Sequence, residues 1–258
     1  MNSVILARYN ESLDWIHQIP DDFDIIIYNK GEKIVAPEVL DRAFRIIDRP
    51  NVGRESETYL HHMMTQVGND QDFTVYAQAD PHAHSPDFIE LLKNWRDWDD
   101  VQPLSWCWIA ENNIPPIALL DDYQAQLGGR LRVRPERFSL TAWGAPEFVD
   151  AGANGMGMVY RILHGLPDGG NIAAHFLRHC KLDHIAEKAD RHSLGVFSYG
   201  AIFAARNARV AAIPPISLRL AIDFSTAGVV AHGYILERMW LHMLGVDFIL
   251  PKNQPSKI

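Results

Sequence analysis

The 258-residue chain carries only two cysteines, Cys107 and Cys180, with no motif around them and no partner spacing between them. That excludes a disulfide framework and a Cys-based zinc site, and both thiols are expected to be reduced, as in the cytoplasm. Positive charge is scarce as well, with 24 Lys and Arg against 32 Asp and Glu, for a formal net charge of -8. A nucleic-acid surface requires clustered Lys and Arg, so that class is excluded despite the short basic run Arg130-Leu131-Arg132-Val133-Arg134. No apolar run approaches the roughly 20 residues of a membrane-spanning helix, and no signal peptide precedes Ser3. A soluble cytoplasmic protein is the expectation.

What is present is a hydrophobic content of 47%, enough for a full core without staples. The chain reads as a single α/β domain over 1–258, with 1–110 and 111–258 as its two halves. Ser3 to Tyr9 is a short apolar run followed by Asn10-Glu11-Ser12 and a helical pattern at Leu13, Ile16 and His17. Phe23 to Tyr28 repeats the arrangement, and Asn29-Lys30-Gly31 supplies a turn. Two buried strands this close, each ending in polar residues, fit a parallel sheet of βαβ units. Glu38 to Ile47 has helical or irregular spacing that ends at Arg49-Pro50. In Asn51-Val52-Gly53-Arg54 a glycine precedes a helix that opens at Glu55 and Glu57. Free backbone N–H groups and Arg54 could meet a phosphate there, although both acids would compete with an anion.

The sharpest chemistry lies in 73–88. An apolar strand ends at Gln78, Asp80, His82 and His84, and Ser85-Pro86 then signals a helix start. In an open α/β sheet the ligand crevice lies beyond the carboxyl ends of the strands, so these side chains are candidates for a metal or phosphate site. Phe88 to Trp98 reads as an amphipathic helix, 104–109 as a further strand, 111–116 as a linker and 117–127 as a helix stopped by Gly128-Gly129. Ser139 to Trp143 is a short strand, and the Gly/Pro-rich stretch 144–170 reads as a mobile loop or an oligomer contact. His175 and His179 share a helix face, but no Glu follows in the His-Glu-x-x-His pattern, so they and His184 read as ordinary helix histidines. Leu194 to Ala205 is a late apolar strand broken by Gly200, and 227–244 is the last long helix. Glu237 and Arg238 sit inside it, as a half-buried ion pair or with Glu237 as a catalytic carboxylate. Trp95 and Trp98 read as exposed and compatible with a homodimer.

The segments Val4 to Glu11, Tyr28 to Gly31, Asn51 to His62, Gln78 to Phe88, Ser198 to Phe203 and Leu236 to Trp240 resemble, in order, an uncharacterised fungal and bacterial domain-of-unknown-function family. They are also distantly similar to the GT-A nucleotide-sugar transferases, including rhamnan-synthesis-type enzymes. The resemblance implies a GT-A-like, mostly parallel sheet flanked by helices, with a C-terminal helical region. It implies that Arg8, Tyr9, Asn10, Asn29, Lys30, Asn51, Arg54 and Gln78 line a nucleotide-sugar site, with Arg54 on the phosphates. Asp80 would take the first position of an Asp-x-Asp motif that binds ribose and a divalent metal, with Mn or Mg expected. The second position is His82, and imidazole suits Zn or Fe better than a hard cation.

Three functions compete on these residues. The first is a glycosyltransferase acting on a nucleotide-sugar and a glycan or small-molecule acceptor, with Asp80 at the metal and Glu237 as base. The second is a metal-dependent hydrolase or lyase with Asp80, His82 and His84 as ligands, since His-x-His at a strand end puts both imidazoles on one side. The third is a non-catalytic binding protein in which Asp80 caps the helix at residue 86.

Overall fold

The computed structural model describes residues 1–65, 68–105, 135–146 and 149–251. The sequence expectations for 106–109, the 111–116 linker, the 117–127 helix, the 130–134 basic run and Cys107 lie outside the described residues.

The first half builds β1 (Asn2–Arg8), β2 (Phe23–Asn29), α1 (Pro37–Arg42), β3 (Arg45–Asp48), α2 (Arg54–Thr65), β4 (Phe73–Gln78), α3 (Phe88–Lys93) and β5 (Val101–Pro103). The second half adds β6 (Glu136–Ser139), α4 (Ala151–His164), α5 (Ile172–His179), α6 (Asp183–Asp190), β7 (His192–Phe197) and β8 (Phe203–Arg206). It closes with α7 (Asn207–Ala211), α8 (Pro215–Ser225), α9 (Val230–Met243) and β9 (Ile249–Pro251). No described helix is long and apolar enough to cross a membrane.

Six strands form the main sheet in the order β3-β2-β1-β4-β8-β5, and β6-β7-β9 form a smaller antiparallel one. β3, β2, β1 and β4 run parallel, while β8 runs antiparallel to both β4 and β5. The fold is therefore α/β with a mostly parallel sheet. Apolar residues run almost without interruption along β1, β2 and β4 because both faces are covered. Val4, Leu6, Ile25, Ile27, Val75 and Ala77 pack on one side with Phe88 and Leu92 of α3. Ile5, Ile26, Tyr28 and Tyr76 face the other side, toward Tyr59, Leu60 and Met63 of α2 and Trp240 of α9. That second cluster continues through Phe138, Trp143 and Phe197, so the smaller sheet and the C-terminal helices share the core of the main sheet.

Several elements differ from the sequence reading. The helical pattern at 13–17 is only a single turn at Ile16–Gln18. The stretch expected as a loop or oligomer contact contains α4, a 14-residue helix capped by Asp150, whose Oδ1 accepts from Ala153 N at 2.9 Å. Three glycines disguised it, and Gly157 is there because a Cβ would stand 2.5 Å from Trp143 Cβ. The late apolar run is two strands in different sheets, β7 and β8, joined by a tight turn at Tyr199–Ala201. Trp98 is buried and Trp95 half-buried, and both pack on Phe23 and Phe73, edgewise except for the tilted Trp98–Phe23 contact. Trp98 is thus part of the core rather than exposed, and Trp95 packs against it at the edge.

Candidate active site

β1 has β2 and β3 on one side and β4 on the other, so successive crossovers leave it in opposite directions. Such a switch point opens a crevice beyond the strand ends, where no helix can close over both neighbours. Ala7 of β1 and Gln78 of β4 are register partners there. Two adjoining hollows, of about 240 and 210 Å³, occupy the crevice and share Arg54, Glu55 and Gln78. The first extends to Tyr9, Lys30 and Asn51, and the second to His84, Tyr199 and Glu237.

Arg54 is held by an unusual piece of backbone. Gly53 and Arg54 have φ of 63° and 52°, a left-handed pair that costs a non-glycine residue about 1–3 kcal/mol unless its surroundings impose it. The surroundings do. Lys30 Nζ donates to the carbonyls of Val52 at 2.8 Å and Arg54 at 2.6 Å, and pairs with Glu57 Oε2 at 2.8 Å. Arg49 Nη2 binds the other oxygen of Glu57. Burial alone would push the Glu57 carboxyl up, but Lys30 and Arg49 together hold it below its ordinary range. Burial also lowers the Lys30 ammonium, against the pull of Glu57. This buried cluster fixes the loop from beneath, and α2 starts at its end. The Arg54 side chain is exposed and, among the described residues, has no hydrogen bond or ion pair.

Lys30, expected to face a nucleotide, is therefore a support for the loop, with only 4% of its side chain exposed. Arg8 and Asn29 are likewise spent on the chain itself. Arg8 donates to Asn29 Oδ1 and to the carbonyls of Tyr9, Glu11 and Glu32, while Asn29 Nδ2 donates to Asp48 Oδ1 at 3.0 Å. Asn10 Oδ1 accepts from Glu32 N at 2.9 Å. A Cβ at Gly31 would fall 1.7 Å from the Tyr9 carbonyl oxygen, so only glycine lets these two loops meet. Tyr9 and Asn51, both exposed, line the first hollow.

The second hollow is organised by Gly200, at φ 67°, where a Cβ would sit 2.6 Å from the His84 ring. Its N–H donates to Glu237 Oε1 at 2.8 Å and its carbonyl accepts from Gln78 Nε2 at 3.0 Å. The expected ion pair within α9 is present: Arg238, 1% exposed, donates from Nη1 to Glu237 Oε2 at 3.0 Å and from Nη2 to Asp150 Oδ2 at 2.6 Å. Its guanidinium also lies 4.3 Å over the Phe197 ring. Glu237 is thus held at both oxygens. Opposite it, burial pushes the Glu55 carboxyl up, and the charge of Glu237 pushes it further. Burial lowers the His84 imidazole against the pull of Glu237 and Asp80.

The metal set Asp80, His82 and His84 does not assemble. Asp80 is exposed, and its Oδ1 accepts from His82 N at 3.3 Å in a local turn rather than capping α3, which begins only at Phe88. His82 turns onto the Trp15 ring, 5.0 Å away, while His84 turns to Tyr199 at 5.0 Å. Among the described residues, no three His, Cys, Asp or Glu side chains are gathered as a metal site. Sequence reading missed Glu55 as a participant, since a first-turn acid looks like ordinary helix capping. Tyr199 was not singled out either, whereas Gly200, expected from the sequence to permit a close approach in the late apolar run, does lie against His84 in the second hollow. No protein-family model matches the chain, and neither does any curated protein or solved structure.

Proposed function

We propose that the chain is a glycosyltransferase-like enzyme of GT-A type that takes a nucleotide-sugar donor in this crevice. The observation that carries the reading is an exposed guanidinium, with no hydrogen bond or ion pair among the described residues, at the switch point of a parallel sheet, with two carboxylates beyond it. Arg54, at the start of α2, is suited to a diphosphate by charge and by its fork of N–H donors. The exposed Tyr9 and Asn51 flank the side on which a base would lie, and Asp80, exposed two residues beyond the end of β4, would reach ribose hydroxyls. In the second hollow, Glu55 is the proton acceptor, because a desolvated carboxylate is a better base near neutral pH than a solvated one. Glu237, fixed by Gly200 and Arg238, orients the acceptor hydroxyl. The hydroxyl oxygen forms its bond to the anomeric carbon as the bond to the diphosphate breaks, and the proton passes to Glu55.

The divalent metal implied by the GT-A resemblance does not fit the donors present, since Asp80, His82 and His84 point to three different places. No step is routed through one, and the same divergence removes the support for a metal-dependent hydrolase or lyase. Calorimetric titration with a panel of nucleoside diphosphate-sugars, with and without Mn²⁺, tests the reading. Binding without Mn²⁺ that weakens at least tenfold in Arg54→Ala is expected; a panel in which no donor binds overturns it.

A further inference from the structure

Away from the crevice, α4, α5 and α9 bring His164, His175, His179 and His232 to one place. His232, 4% exposed, donates from Nδ1 to the Phe224 carbonyl oxygen at 2.7 Å and stacks on the Phe224 ring at 3.6 Å. A carbonyl can only accept, so the proton sits on Nδ1 and the lone pair of His232 on Nε2. That lone pair faces Nε2 of His164 at 3.2 Å. His164 in turn packs at a tilt on Tyr160 at 4.2 Å, and the ring of His175, hydrogen-bonded through Nδ1 to Tyr160 at 2.7 Å, lies 5.5 Å from it.

We infer that His164 and His232 form a two-imidazole binding site for a borderline divalent transition metal of the Zn²⁺ class, with water completing the shell. Zn–N bonds of about 2.0–2.1 Å in a tetrahedron place two ligand nitrogens about 3.3–3.4 Å apart, close to the separation found. The outward Nδ1–H of His232 on a backbone carbonyl is the second contact that metal-bound imidazoles ordinarily make, and it fixes both tautomer and ring plane. His164 is half-buried and His179 exposed, which leaves the site open to solvent. In the metal-free pair Nε2 of His164 carries the proton between the rings; ligation would require that proton on Nδ1 of His164 instead, leaving both Nε2 lone pairs to the ion. The site would tie α4 to α9 five residues before Glu237.

The test uses the full chain, treated with chelator and then titrated with Zn²⁺ by calorimetry, and with Co²⁺ by visible absorption. One equivalent of Zn²⁺ is expected, with a tetrahedral Co²⁺ spectrum and a higher Tm. His164→Ala and His232→Ala should each weaken binding by about 100-fold, and His184→Ala, an exposed histidine on another helix, should not. Should His232→Ala fail to fold, His164→Ala decides, since its side chain is only half-buried. Absence of Zn²⁺ binding, or binding unchanged in His164→Ala, overturns the assignment.

Discussion

Lys30→Met separates a loop support from a ligand residue. The substitution keeps the aliphatic stem and removes the ammonium, so it unpairs Glu57 on one side and orphans the carbonyls of Val52 and Arg54. Both partners of the Lys30–Glu57 pair are almost fully buried, at 4% and 3% exposure, so water cannot replace the lost contact cheaply. Breaking a buried pair from one side costs about 3–5 kcal/mol. Arg49 remains on Glu57, which favours the lower end of that range. For a chain of this size, each kcal/mol corresponds to about 2–4 °C, so a Tm loss of about 6–12 °C is expected by calorimetry. Glu57→Gln in the same background should recover part of the loss, because the uncompensated charge is then gone. A Lys30→Met protein that melts within 2 °C of the parent, while losing affinity for a nucleotide, would refute the support role and restore Lys30 to the ligand.

The remaining predictions bear on separate contacts. Asp87 is 3% exposed with both carboxylate oxygens unpartnered, and burial raises its pKa from 3.8 to about 6. The stability it contributes is present below about pH 4 and lost as pH rises through about 6, a penalty of about 3 kcal/mol at pH 7. Asp87→Asn should therefore raise Tm at pH 7.5 and not at pH 4; equal shifts at both would contradict this. Gly53→Ala meets both a left-handed φ and a Cβ 2.6 Å from that of Glu57, and should cost at least about 1–3 kcal/mol by denaturant titration. Glu55→Gln should lower kcat by at least about 100-fold with little change in Tm, and its loss should flatten the acidic limb of the kcat profile. Asp80→Ala removes one turn contact from an exposed site, so Tm should hold within about 2 °C while donor affinity falls.

Much of the frame was legible in the chain. β1, β2 and β4 are continuous apolar runs because both sheet faces are covered, and the polar residues after each mark the crevice end. The Gly53-Arg54 helix start was readable for the same local reason. What escaped depended on contacts distant in sequence. Lys30 looks like a ligand residue beside Asn29 and Gly31, but its partners lie 22 and 24 residues away. His164 and His232 are 68 positions apart, so no spacing rule could join them. α4 was hidden by its three glycines, of which Gly157 is needed for packing on Trp143, and the split of 192–206 between two sheets hinges on the positive φ of Gly200.

The central claim is that a nucleotide-sugar binds over the ends of β1 and β4. A crystal structure of the chain soaked with a nucleoside diphosphate-sugar in the absence of added metal tests it most directly. The account predicts the diphosphate hydrogen-bonded to Arg54, the base at Tyr9 and the sugar between Glu55 and Glu237. A ligand bound elsewhere, or a crevice left empty at a donor concentration that saturates the protein in solution, would contradict it.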